Sequence, residues 1–216
     1  MKKIAILLSG CGVYDGAEIH EATMSMYAVV KLGATYTIFA PNIMQHHVIN
    51  HITGKEMNEE RNVLIESARI ARGKISDLSE FNPSGFDALL LPGGFGVAKN
   101  LSDFAFKGSN AVIDPYVEKA VKEMHALKKP IGALCIAPAI IACILKNVNV
   151  TIGNDQETIN QIIKTGATHQ IADHAQVIHD KINHIFTTPC YMLNADIVQI
   201  ADGAFAIVEQ LIKHCK

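Results

Sequence analysis

Five cysteines occur in the 216 residues, Cys11, Cys135, Cys143, Cys190 and Cys215, and one of them stands where chemistry is expected. Cys135 ends the apolar run Pro130–Leu134 and precedes Ile136-Ala137-Pro138, the start of a helix-compatible stretch. A thiol between a strand end and a helix start meets free N–H groups and the positive end of the helix dipole. That setting predicts a pKa below the ordinary ~8.5 and a thiolate ready to act as nucleophile. The N–H of Ile136 is positioned to receive an oxyanion, as at other nucleophile elbows. The elbow glycines are only partly present: Gly132 precedes Cys135 by three, and Ala137 stands where a glycine usually follows.

A second group of residues belongs to the same reading. In Leu91-Pro92-Gly93-Gly94-Phe95-Gly96, glycines follow a buried run and let the backbone approach a ligand. In an open parallel sheet such a loop and Cys135 share the carboxyl edge, where ligands bind. Gly93 and Gly94 are therefore candidate oxyanion donors and, with Ile136, candidate substrate-binding residues. Glu18 and Glu21, three apart, share a face of the first helix at that edge. A carboxyl buried beside a thiol has a raised pKa and, protonated, hydrogen-bonds the thiolate or shuttles a proton.

Other constellations carry less. Gly10, Gly12 and Gly16 follow the first strand, but Asp15 occupies the last position of a G-x-G-x-x-G, so no dinucleotide site is read there. His47 and His51 are four apart beside His46, yet the segment between them is not helical in pattern and no carboxylate completes a metal site. The cysteine count is odd, the spacings are wide and CxxC is absent, which points to free thiols, a reducing compartment and a cytoplasmic location.

Around these residues the chain alternates short apolar runs with helical patterns, the signature of a parallel sheet covered on both faces. Strands are predicted at Lys3–Ser9, Thr35–Ala40, Phe86–Leu91, Pro130–Leu134 and Val148–Ile152. A hairpin is predicted from Gln176–His179 and His184–Thr187. Helices are predicted at Ala17–Leu32, Glu60–Arg72, Asp114–Leu127, from Cys135 to about Leu145, at Asp155–Lys164 and at Ala195–Ile212. Asp114 serves as an N-cap with Pro115 at the first helical position. Apolar residues make up 49% and charged residues 19%, with a formal charge of −2 and no basic stripe, which excludes a nucleic-acid partner. The opening Met1–Gly10 has too short an apolar stretch for a signal peptide and reads as a buried strand, and no run is long enough to span a membrane. Neither repeats nor linkers appear, so residues 1–216 read as one domain.

Six segments together resemble the ElbB group of isoprenoid-biosynthesis glyoxalases: Gly10–Glu21, Ile49–Gly54, Arg61–Glu66, Leu91–Leu101, Cys135–Ala139 and Thr187–Leu193. More distantly the chain resembles the PfpI and parkinsonism-associated deglycase superfamily. The resemblance implies a class I glutamine amidotransferase-like domain. Its fold would be α/β, a flavodoxin-like three-layer αβα sandwich with a mostly parallel sheet and a cysteine nucleophile elbow. It implies a cofactor-free, metal-free, glutathione-independent lyase (a hydro-lyase) that converts glyoxal to glycolate through a hemithioacetal on Cys135. The partners would be a small dicarbonyl substrate and a second copy in a homodimer. Matching Gly16-Ala17-Glu18 to the superfamily pattern assigns the carboxyl that hydrogen-bonds the cysteine to Glu21, with Glu18 its neighbour. The superfamily's catalytic histidine falls at Gly153, so the usual Cys–His pairing is absent. The alternative is a thiol sensor of oxidants or electrophiles, or a binding partner in isoprenoid metabolism, with Cys11 as a candidate resolving thiol.

Overall fold

Alternate residues of the first strand, β1 (Lys3–Leu7), enter opposite layers of the core: Ile4 and Ile6 one, Ala5 and Leu7 the other. A strand buried on both faces needs such a continuous apolar run. The computed structural model describes residues 1–216. The remaining strands are β2 (Thr35–Ala40), β3 (Ile49–Asn50), β4 (Lys55–Glu56), β5 (Ile75–Asp77), β6 (Ala88–Leu91), β7 (Ile131–Leu134), β8 (Asn149–Val150), β9 (Thr168–His169), β10 (Ile178–Asp180) and β11 (Ile185–Thr188). Seven of them form one sheet in the order β10-β11-β7-β6-β1-β2-β5, parallel except for β10.

Helices cover both faces. On the Ile4–Ile6 side lie α1 (Ile19–Lys31), α2 (Val63–Ile70) and α8 (Ile197–His214). On the Ala5–Leu7 side lie α3 (Phe95–Lys99), α5 (Pro115–Ala126), α6 (Ala137–Leu145) and α7 (Gln156–Lys164), with α4 (Phe104–Lys107) beside α3. This is the expected flavodoxin-like αβα sandwich. Capping fixes the helix starts. Asp114 accepts N–H bonds from Tyr116 and Val117 ahead of Pro115, and Asp196 forms a reciprocal capping box with Gln199. Glu18 caps α1 through its side chain, so that helix starts at Ile19 rather than Ala17.

The fold departs from the sequence reading in two places. The strand expected over Val148–Ile152 shortens to β8, which pairs with β9 outside the main sheet. Side chains take the N–H groups a neighbouring strand would have taken: Asn149 N–H donates to Asp180, Thr151 N–H to Thr187 Oγ1 and Ile152 N–H to His169 Nε2. The irregular stretch from 42 to 85 hides the edge strand β5, whose three residues are too few to show a period.

Because the central strands are parallel, the ends of β1, β6, β7 and β11 open on one edge. The loops that leave them carry Gly10–Ala17, Pro92–Gly94, Cys135 and Pro189–Met192 to that edge.

Candidate active site

Cys135 follows β7 directly, and its N–H closes the ladder to β11 by donating to Thr188 O at 3.0 Å. Its φ is +58°, in the left-handed region, which costs a non-glycine residue roughly 1–3 kcal/mol. The turn therefore aims the side chain off the strand end while the flanking ladder holds the backbone. The residue is 7% exposed. The N–H groups of Gly94 and Ile136 favour charge on its sulfur, and Cys135 Sγ and Glu21 Oε2 converge on Gly93.

Glu21 is wholly buried, at 0% exposure. Its Oε2 accepts from Gly93 N–H at 2.8 Å and its Oε1 from Tyr191 N–H at 3.4 Å. Burial, then repulsion from Glu18, push its pKa up to about 8, against the N–H groups and the thiol that pull it down. Near neutrality Glu21 is thus a carboxylic acid, able to donate. Burial and the charge of Glu21 also push the Cys135 thiol well above its ordinary value. That corrects the lowered value expected from the helix N-terminus: complete desolvation outweighs the dipole of a helix whose first residue, Ala137, lies two residues on.

The two glycines after β6 do different work. Gly93 is wedged between thiol and carboxyl: a Cβ there would stand 2.4 Å from Cys135 Cβ and 2.8 Å from Glu21 Oε2. Its carbonyl accepts from Glu18 N–H at 2.9 Å, which ties the loop to the start of α1. Since its own N–H is spent on Glu21, Gly93 is not the free oxyanion donor expected from the sequence. Gly94 has φ +98°, and a Cβ there would meet Gly16 O and Glu18 N at 2.4 Å. Its N–H faces the thiol, as does that of Ile136.

Glu18 does not reach the thiol. Its Oε2 accepts from Glu21 N–H at 2.8 Å, the N-cap bond, and its Oε1 lies 3.7 Å from His20 Nδ1. Its influence on the site is the charge it places behind Glu21. Behind this first turn, Asn100 fastens the Ser9–Asp15 loop with two hydrogen bonds, Nδ2 to Ser9 O and Asp15 O, and its Oδ1 accepts a third from His46 N–H.

Two neighbours escaped the sequence reading. Cys190, with φ +43°, is buried, and its thiol is pushed up by burial and by the charges of Glu21 and Cys135. Tyr191 donates its N–H to Glu21, and its hydroxyl is 2.9 Å from His20 Nδ1. Both sit in Thr187–Leu193, a segment legible as a motif but silent about which side chain meets which.

Other sequence candidates lie elsewhere. The charges that act on Cys11 are Glu66, Arg69, Asp15 and Arg61, and it is not among the groups that bear on Cys135. His46 and His47 meet edge to face, their ring centroids 4.4 Å apart, and lean on Phe106, while His51 Nε2 accepts from Tyr14 N–H. No group of three or more His, Cys, Asp or Glu side chains is arranged to hold a metal. Gly153 has φ +85°, and a Cβ there would press on Leu193 at 2.9 Å and Pro189 at 3.2 Å, so a histidine would displace both.

In front of the thiol opens a cavity of about 370 Å³, walled by Phe95, Ile136, Tyr191 and Met192 with Asp155 at its rim.

A strained cysteine after a central strand, a buried glutamate from the first helix and a glycine loop between them accompany a family match. The DJ-1/PfpI family model matches residues 2–182. The chain belongs to the DJ-1/PfpI family. Within it, the rat ES1 protein homolog, mitochondrial, is 43% identical over 98% of this chain and 83% of the relative. The human glutamine amidotransferase-like class 1 domain-containing protein 3, mitochondrial, is 43% identical over 98% and 82%. Among solved structures, an isoprenoid biosynthesis protein with amidotransferase-like domain from Ehrlichia chaffeensis superposes with TM-score 0.93 at 37% identity over 99% of both chains. Both curated relatives of this DJ-1/PfpI chain are named as mitochondrial, which overturns the cytoplasmic placement expected from its cysteines.

Proposed function

We propose that the protein is a cysteine-dependent, glutathione-independent lyase of the ElbB glyoxalase type, converting glyoxal to glycolate. The observation that carries this reading is the convergence of buried Glu21 Oε2 and Cys135 Sγ on Gly93, with the N–H groups of Gly94 and Ile136 favouring charge on the sulfur. Cys135 supplies the nucleophile. Its sulfur bonds the aldehyde carbon, the carbonyl π electrons pass to oxygen, and the thiol proton ends there, giving a hemithioacetal. The Gly94 and Ile136 N–H groups hold the charge as it passes from sulfur to oxygen. The ionised fraction of Glu21 then takes the hydrogen of the sulfur-bearing carbon as a proton and, now protonated, returns a proton to the second carbon. The first carbon is oxidised and the second reduced, so no external oxidant or reductant is needed. Water cleaves the resulting glycolyl thioester to glycolate and frees the thiol.

The raised pKa of Glu21 suits this cycle, because a group near neutrality both gives and takes protons. The experiment is release of glycolate from glyoxal by wild type, Cys135→Ser and Glu21→Gln. Many turnovers in wild type, lost in Cys135→Ser and reduced at least about a hundredfold in Glu21→Gln, support the lyase. Consumption that stops at one equivalent per chain refutes it and favours a thiol sensor. For that second reading Cys190, on whose thiol the charge of Cys135 acts, replaces Cys11 as the resolving partner.

A further inference from the structure

Glyoxal, with four non-hydrogen atoms, occupies little of the cavity before Cys135. At about 370 Å³ that cavity falls in the range, roughly 300–1,000 Å³, that holds ligands of drug size. Phe95, Ile136 and Thr158 also wall a second cavity of about 490 Å³, whose lining includes Ala98, Phe104 and Phe106. The shared side chains mark a partly aromatic path beside the sulfur, with more surface than a two-carbon substrate uses.

The charges along this path have one sign. Asp155 stands at the rim of the first cavity and is held ionised by hydrogen bonds from Thr158, including the N–H at 2.8 Å. Glu157 lines the second cavity, and Glu18 lies behind Glu21 and the thiol. Lys107 is the one cation lining either cavity, and Asp103 neutralises it. Lys99 sits over the ring of Phe95 with its Nζ on Tyr14 O, outside both linings.

We infer that the site takes uncharged carbonyl compounds bearing an apolar or aromatic arm, with the arm seated against Phe95, and that Asp155 turns anionic ones away. This rests on the reading of Cys135 as the nucleophile and narrows its substrate class. 2-Oxo acids and phosphorylated aldehydes would bring a negative charge beside an unpaired carboxylate; an aryl or alkyl glyoxal would not.

The test does not depend on turnover. Methanethiosulfonates react with a thiolate by forming a new S–S bond while methanesulfinate leaves, and they come with different arms. Labelling of Cys135 by the benzyl, methyl and sulfonatoethyl reagents is followed by peptide mass spectrometry, each rate divided by that for a small free thiol. The expected order is benzyl, methyl, sulfonatoethyl, with the last at least about fivefold slower than methyl at low ionic strength. Asp155→Asn should relieve the anionic penalty, and Phe95→Ala should shrink the benzyl advantage. Phenylglyoxal should then exceed glyoxal in kcat/KM, and glyoxylate should fall below both. Equal rates for all three reagents, or a faster anionic one, would overturn the inference while leaving Cys135 as nucleophile. The expected order without turnover of any dicarbonyl would overturn the lyase reading alone. No labelling of Cys135 by any reagent would remove both.

Discussion

Glu21 Oε2 and Cys135 Sγ converge on Gly93, 2.8 and 3.0 Å from where its Cβ would stand, and each has two backbone N–H groups that favour its charge: Gly93 and Tyr191 for the carboxyl, Gly94 and Ile136 for the sulfur. One negative charge can therefore sit on either group with two donors ready for it, and the pair titrates as a unit. The first proton leaves near the value of about 8 given for Glu21. Alkylation of Cys135 by iodoacetamide should rise through about pH 8. In Glu21→Gln the group that competes with the sulfur for the charge is gone, and with it the repulsion that holds the thiol up. The rate at pH 8 should then increase severalfold, and the rise should move to lower pH. An unchanged profile would show that the two groups are not coupled.

The same carboxyl leaves a mark on stability. Its pKa is about 8 folded against 4.5 for the free group, so the folded state binds more protons between those values. A folded pKa raised in this way gives stability that is complete below about pH 4.5 and is lost as pH rises towards 8. The loss is at most ~1.4 kcal/mol per pH unit. Glu21→Gln carries no such slope. Urea unfolding at pH 5, 6.5 and 8 should show the variant gaining steadily on wild type, and a constant gap would contradict a protonated Glu21.

Gly93→Ala tests the wedge between the two groups. A methyl 2.4 Å from Cys135 Cβ and 2.8 Å from Glu21 Oε2 forces them apart. Overpacking of this kind costs about 1–3 kcal/mol. Thiol reactivity at pH 8 should fall further than the stability loss alone accounts for, because the Gly93 N–H moves off Glu21. Alkylation kinetics beside thermal unfolding separate the two effects.

Asn100 carries the support behind the first turn. Asn100→Ala leaves Ser9 O, Asp15 O and His46 N–H without their side-chain partner. Each buried polar group so orphaned costs about 1–3 kcal/mol, so a loss of about 3 kcal/mol is expected by chemical denaturation. The loop it holds also contacts Gly94 and Gly96, so the activity of the folded fraction should fall as well.

What the sequence disclosed follows from how local each cause is. Cys135 was legible because a strand run, a thiol and a helix start are adjacent in the chain, and Pro115 after Asp114 marks a helix start by itself. Spacing put Glu18 and Glu21 on one helix face, and the family resemblance over Gly16-Ala17-Glu18 singled out Glu21. The direction of the thiol's pKa was not, because it depends on how completely three separate loops exclude water. Nor was the engagement of Gly93 N–H with Glu21, 72 residues away. β5 and the short β8 escaped for the same reason: their pairing is decided by neighbours far off in sequence.

A proton path remains to be supplied where Gly153 leaves no room for an imidazole. On the lyase reading, that part falls to Tyr191. Its ring lines the cavity, its N–H holds Glu21, and its hydroxyl meets His20 Nδ1 at 2.9 Å, with the His20 side chain 54% exposed. Burial and the charges of Glu18 and Glu21 push the phenol pKa up, so the hydroxyl stays protonated and donates. Tyr191→Phe removes that donor and keeps the backbone bond to Glu21. Glyoxal turnover should fall by about a hundredfold, the lower end for a lost general acid–base group, while iodoacetamide labelling of Cys135 stays within about twofold. His20→Ala should act in the same direction. The double variant should be no worse than Tyr191→Phe alone, because both changes cut one chain. Additive losses, or a fall in labelling equal to the fall in turnover, would reduce Tyr191 to a packing residue.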